Sequence, residues 1–207
     1  ASGATLIGAV SLTLYMLGFS LAYRSLDAGL GALILFGGVQ VTMFAGAVIG
    51  GASVPMLRWV GAAVALAGLC VLFWPSGGAA VDLWGGAWMA AAALGWGIYS
   101  LNGRAATDPL AATAANFLFA LPFVAVPLMW QSVGATGYGV ILAVISGAIT
   151  SGLGYALWYA LIPGLGATRA AVAQLSVPII AIAAGVLLLA EPVTARLGLA
   201  GVLVIGG

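Results

Sequence analysis

Lysine and histidine are absent from this 207-residue sequence, and charge of either sign is scarce: five arginines and four acids make up 4% of the positions. Soluble domains devote about a quarter of their residues to charge, because they must present a polar surface to water. A chain this poor in charge cannot clothe a water-facing fold. Its net charge of +1 and lack of any basic patch exclude a nucleic-acid partner. A lone cysteine, Cys70, rules out an intrachain disulfide or a cysteine metal site and reads as a small apolar helix residue. No metal and no cofactor are expected, and no glycine-rich nucleotide loop is present. No basic n-region with a cleavage site precedes the first apolar stretch. The sequence opens on Ala1 and stops at Gly207 inside an apolar run, so it reads as a fragment of a longer protein.

What is abundant is apolar sequence, 64% of all residues. A helix needs about 20 apolar residues to cross ~30 Å of hydrocarbon. By that measure eight spans are expected, at 5–24, 28–50, 57–75, 83–103, 110–130, 138–162, 165–190 and 195 to the end, the last cut short. The fold class is thus an all-α integral membrane protein, a polytopic helical bundle. Between spans lie short turn-forming or charged stretches, such as Arg24-Ser25-Leu26-Asp27, Thr107-Asp108-Pro109, Pro163-Gly164 and Glu191-Pro192. All nine charges fall at or near these junctions. Arg24 and Asp27 are expected to pair there, and Glu191 to cap a junction. Trp74, Trp84, Trp130 and Tyr138 sit near span ends, where aromatic belts form. The 32 glycines mostly serve close helix packing. One set of junctions carries Arg24 and Arg196 and the other Arg58, Arg104 and Arg169, a slight vote for the second as cytoplasmic.

A long-period self-similarity orders these spans. Gly18-x4-Tyr23 followed by Gly29-Leu30-Gly31-Ala32 recurs as Gly154-x4-Tyr159 followed by Gly164-Leu165-Gly166-Ala167, with offsets of 136 and 135 residues. Span one maps on six, two on seven and three on eight. A period of five spans is odd, so the second copy enters the membrane in the opposite sense, as in many secondary transporters. Spans four and five then lack partners, and two helices are expected before Ala1. The whole would be ten helices in two inverted sets of five.

With that pattern the residues resemble the EamA-type drug/metabolite transporter superfamily. The resemblance rests on Gly154-Tyr155-Ala156-Leu157-Trp158-Tyr159-Ala160-Leu161, a short turn, a helix holding Pro178 and ending in Glu191, and a glycine-rich last helix. Leu94-Gly95-Trp96-Gly97-Ile98-Tyr99-Ser100 is similar to the sixth helix of such proteins. It implies that 1–75 holds the last three helices of a first repeat and 83–207 a second repeat with a truncated last helix. It also implies residence in a bacterial inner (plasma) membrane. Gly51 stands where the family often has an acid at the end of its fourth helix, and Thr42 or Met43 where the second half has Pro178.

Polar groups at mid-span must pair or face a cavity. Gln40, Asn116, Thr150 and Gln174 are such groups. Tyr15, Trp96, Tyr99 and Tyr155 are aromatics away from the interfaces, with Trp96 and Tyr99 on one helical face. These eight are the expected substrate-binding residues. The plainer reading of the hydroxyls is interhelical hydrogen bonding, each bond worth about 0.6 kcal/mol. No acid or histidine lies mid-membrane to carry a proton, and no catalytic residue is expected. The expected function is secondary transport of small organic metabolites such as amino acids, by efflux or exchange, through a central cavity with alternating access. The alternative is an intramembrane enzyme acting on lipid or isoprenoid substrates, which would need acid/base or metal groups within reach of one another. Partners would be a small-molecule substrate and membrane lipid, with self-assembly into a homo-oligomer left open.

Overall fold

The computed structural model describes residues 6–51, 53–73, 82–103, 108–126, 134 and 136–207, without the side chains of 156, 159, 160, 162–173 and 175. Every regular element among them is helical: α1 (Leu6–Ala22), α2 (Ala28–Ile49), α3 (Met56–Phe73), α4 (Leu83–Gly103), α5 (Pro109–Ala125), α6 (Gly137–Ile145), α7 (Gly154–Leu189) and α8 (Ala195–Gly206). A π-helical segment, Ser146–Leu153, joins α6 to α7. Helices satisfy their own backbone polar groups, which a bilayer interior cannot do for them. By length and composition α2 alone among the described helices is long and apolar enough to cross a membrane unaided; Leu6–Ala22, Pro109–Ala125 and others are shorter apolar helices. Large apolar side chains face outward along them, including Leu6, Ile49, Leu57, Leu118, Phe123, Ile180, Leu187 and Val202. That exterior suits lipid rather than water. Trp84 and Tyr138 are exposed beside helix starts, whereas Trp74 and Trp130 lie outside the described residues.

The junctions begin helices as their chemistry predicts. Asp108, ahead of Pro109, accepts a hydrogen bond from the Ala111 N–H at 3.0 Å. Thr136 and Thr194 do the same for Gly139 and Leu197, each at 3.1 Å. Asp82 accepts from Gly85 N–H at 2.8 Å and from the Ser25 hydroxyl at 2.6 Å, tying the start of α4 to the α1–α2 turn. The expected Arg24–Asp27 pair does not form: Asp27 occupies the N-cap position of α2 but makes no side-chain cap, and Arg24 is exposed. An exposed ion pair gains little against the entropy of holding two side chains together. The α2 N-terminus takes its carboxylate from Glu191 instead, whose two oxygens accept from Ala28 N–H at 2.6 Å and Gly29 N–H at 3.2 Å.

The core is built where α1, α2, α4 and α8 meet, around Leu12, Leu33, Val39, Met89, Ala92, Ala93, Tyr99, Ala200 and Val204. α1 and α4 pack antiparallel and unusually close. A Cβ on Gly18 would lie 2.6 Å from the Trp88 carbonyl oxygen, and one on Gly95 would lie 2.6 Å from the Ser11 oxygen and 2.7 Å from the Tyr15 nitrogen. α2 runs antiparallel to the end of α7, with Gly29 against Ile182. α3 runs antiparallel to α8, with Gly68 against Leu203 and Arg196 reaching the Leu72 carbonyl oxygen at 3.4 Å. The α6 and π segments are exposed almost throughout.

The expected interruption at Pro163-Gly164 is not seen, because helical backbone continues through both residues of the 36-residue α7. A straight helix of that length would span ~54 Å. Tyr155 at its start nevertheless reaches Tyr15, halfway along α1, while its last turns lie beside the start of α2. A straight rod packed along α2 would carry Tyr155 well past the bundle, so the axis of α7 changes direction between Tyr155 and Gln174. Proline removes one helical hydrogen bond and bends the chain without requiring a loop.

Two measurements test these contacts. Gly95→Leu sets a side chain against backbone that cannot yield, so it is expected to destabilise the bundle by about 1–3 kcal/mol, read as a lower Tm in detergent. Asp82 is held below its ordinary value of 3.8, chiefly by the Ser25 hydroxyl and then by the Gly85 N–H. Its contribution is therefore present above the unfolded-state pKa and lost as pH falls through the lower folded-state value. In Asp82→Asn, the decline of Tm on acidification should be shallower than in the unmodified protein.

Candidate functional site

Four of the eight expected site residues come together. Tyr15 (α1), Trp96 and Tyr99 (α4) and Tyr155 (α7) form one aromatic cluster, into which Phe117 of α5 also packs. The Trp96 ring lies 5.0 Å from both Tyr15 and Tyr155, tilted by 43° and 45°, and stacks on Tyr99 at 5.6 Å. Phe117 meets Tyr155 at 5.6 Å. These separations are those of favourable aromatic pairs. Trp96 is 8% exposed and Tyr99 1%, while Tyr15, Phe117 and Tyr155 are half-buried.

The α1–α4 approach explains the arrangement. Gly95 lets α4 touch the α1 backbone at Ser11 and Tyr15, so the neighbouring Trp96 indole falls directly on the Tyr15 ring. Tyr99 follows one turn later on the same face. Two hydroxyl contacts thread the rings: Tyr155 donates to Tyr15 at 3.3 Å, and Tyr99 to Thr113 Oγ1 at 3.4 Å. Both are longer than the roughly 2.5–3.0 Å of a firm O–H···O bond.

Asn116, a fifth expected residue, lies one turn beyond Thr113 on α5. It is 3% exposed, packed against Gly8 of α1, and its Oδ1 has no hydrogen-bond partner among the described residues. A buried acceptor left unpaired costs about 1–3 kcal/mol, so it marks a place where a donor is missing. The cluster offers aromatic faces and tyrosine hydroxyls, and the α1–α5 contact next to it offers one amide acceptor. None of these groups is charged at neutral pH.

The other three expected residues lie elsewhere. Gln40 on α2 and Gln174 on α7 are each half-buried. Thr150 is exposed on the π segment, its hydroxyl bonded to the Ser146 carbonyl at 2.6 Å, and is not brought to the cluster. Phe117 and Thr113 were not anticipated. Thr113 stands one turn before both Asn116 and Phe117 on α5, and that spacing was the available signal.

Carboxylates are absent from this cluster. Asp82, Asp108 and Glu191 each serve a helix start, and no group of three or more His, Cys, Asp or Glu that could hold a metal occurs among the described residues.

Comparison with known proteins places this geometry. A solved structure, described simply as the crystal structure of a protein, superposes with a TM-score of 0.68 over 97% of this chain and 72% of its own, at 21% identity, which speaks to the fold. An uncharacterized protein of Pseudomonas aeruginosa, PA1977, is 46% identical over 202 residues, 97% of this chain and 70% of that protein. Residues 83–207, which carry Trp96, Tyr99, Asn116 and Tyr155, match the EamA-like transporter family. An all-helical bundle with a lipid-suited exterior, a relative this close and a family match over more than half the sequence lead to one assignment: the chain belongs to the EamA-like transporter family and is an integral membrane protein.

Proposed function

We propose that this protein is a secondary transporter of small organic solutes such as amino acids, working by alternating access between two inverted halves in a bacterial inner membrane. The observation that carries the reading is the aromatic cluster of Tyr15, Trp96, Tyr99 and Tyr155, with the buried, unpaired Asn116 Oδ1 on the neighbouring face of α5. It gathers side chains from both halves, α1 from the first and α4, α5 and α7 from the second. A site made by both halves is remade whenever they move against each other, which is what alternating access needs. Aromatic faces with a few convergent polar groups suit a partly apolar organic solute.

The antiparallel packing of α2 on α7 and of α3 on α8 supports the inverted repeat, because these are the pairs that the sequence maps onto one another. A twofold axis in the membrane plane sets such equivalents side by side and opposed. Gln40 on α2 and Gln174 on α7, one on each member of the first such pair, are a second polar station on the solute's path. Thr150 joins the path only if the π segment moves against the bundle. The Pseudomonas relative supports a bacterial membrane.

Flux in proteoliposomes loaded with a panel of amino acids and related metabolites tests the proposal. Saturable flux of a solute is expected, with Trp96→Ala lowering kcat/KM by about tenfold or more, the worth of one lost buried aromatic contact. Asn116→Ala should raise KM more than it changes kcat, and Gln40→Ala and Gln174→Ala should give smaller losses. A folded protein that moves no solute across a broad panel would overturn it.

A further inference from the structure

The aromatic cluster does not end at Tyr15. Phe19 follows one helical turn on, with its ring 5.6 Å from Tyr15, and Tyr23 one turn beyond that, 4.7 Å from Phe19 and edge-on to it. Residues 15, 19 and 23 share one face of α1 and its C-terminal end. The column thus runs from the middle of the bundle to the membrane face that carries the α1–α2 turn. At its head Tyr23 lies over Gly31 of α2 and its hydroxyl donates to the Ala28 carbonyl at 3.3 Å. Ala28 is also the residue whose N–H is held by Glu191.

Glu191 reaches that position because of how α7 ends. Ala190 adopts the left-handed conformation, φ 54°, which L-residues other than glycine and asparagine seldom take. This turn folds Glu191 back so that its N–H bonds the Gly185 carbonyl at 3.1 Å and its carboxylate meets the start of α2. Strain at Ala190 is balanced by two charge-assisted hydrogen bonds to N–H groups at a helix N-terminus, where negative charge is favoured. On the other flank of the same turn, Ser25 donates to Asp82. Residues 23–29 are therefore gripped by two carboxylates, Asp82 and Glu191. The stretch Gly50-Gly51-Ala52-Ser53-Val54, which the repeat sets in the place of the Glu191 turn, carries no carboxylate.

We infer that Phe19 and Tyr23, fastened by the Glu191 clasp, are the closed gate between the aromatic cluster and the face bearing Arg24 and Arg196. The inference rests on the transporter reading and assigns its resting state: shut at the clasp, with passage on that side requiring Glu191 to release α2. Glu191 is a positioning residue here; it touches the gate through Ala28 rather than through the solute.

The test uses one reporter cysteine at the buried Thr113, in a Cys70→Ala background, labelled by a membrane-impermeant maleimide in right-side-out and inverted membrane vesicles. With Glu191 intact, labelling from the clasp face should be slow. Glu191→Gln should raise it by roughly tenfold, in keeping with losing charge-assisted bonds, and leave the rate from the opposite face unchanged. Ser25→Ala should raise it less and Phe19→Ala at least as much; these two carry the test should Glu191→Gln fail to fold. Ala190→Gly relieves the left-handed strain and keeps the carboxylate, so it should melt higher and label as slowly as the unmodified protein. Unchanged labelling in folded Glu191→Gln, or an equal rise from both faces, would overturn the gate. Solute flux is measured in parallel vesicles that keep Thr113 and Cys70: one-sided labelling without flux of any solute would sink the transporter reading and leave the gate standing, whereas flux with clasp-independent labelling would do the reverse.

Discussion

The distance between α1 and α4 governs most of what this bundle can do. In lipid, helices gain nothing by hiding apolar side chains from one another, so their association depends on how closely backbones can meet. Gly18 and Gly95 remove atoms that would hold these two apart. Once they touch, Trp96 has nowhere to go but onto Tyr15, and Tyr155 and Phe117 close around the pair from α7 and α5. The aromatic centre follows from two missing side chains as much as from the rings themselves.

Charge is spent with similar economy. Described carboxylates stand at helix starts, where unpaired N–H groups and the helix dipole make them useful, and outside the hydrocarbon. Asp108 serves the helix it precedes, whereas Asp82 and Glu191 also cross to the α1–α2 turn. A chain with four acids thus uses two of them to tie distant segments to the one α1–α2 turn.

The helices were readable because runs of about 20 apolar residues broken by Asp-Pro, Thr and Glu-Pro leave few choices: α1 to α4 begin and end within two residues of the expected spans. Contacts were much less readable. In a soluble helix the polar face tells which side points in, but here lipid and core are equally apolar and sequence alone does not separate Phe117, inside, from Phe119 and Phe123, outside. Tyr15, Trp96, Tyr99 and Tyr155 were recognisable as aromatics far from span ends; that they touch is tertiary. Thr150 had the same polar credentials as Asn116, yet one is exposed and the other buried. The partner of Glu191 lies 163 residues away, beyond any local rule, whereas Asp27, the local candidate, is unused. Pro163-Gly164 spelled a loop, and the backbone instead stays helical through both residues.

The π-helical stretch between Ser146 and Leu153 gives the second half a further property. A π turn accommodates an extra residue relative to the α-helical hydrogen-bond pattern, and each residue of an α-helix is worth about 100° of rotation. Rewinding one turn of this segment would therefore spin Gly137–Ile145 by about a quarter of a circle relative to Tyr155, with no bond broken outside the helix itself. Thr150 and Ser151 would sweep the same arc. The side chains offered by this part of the chain are thus set by a winding number as well as by sequence, much as a screw thread sets the heading of whatever is mounted on it.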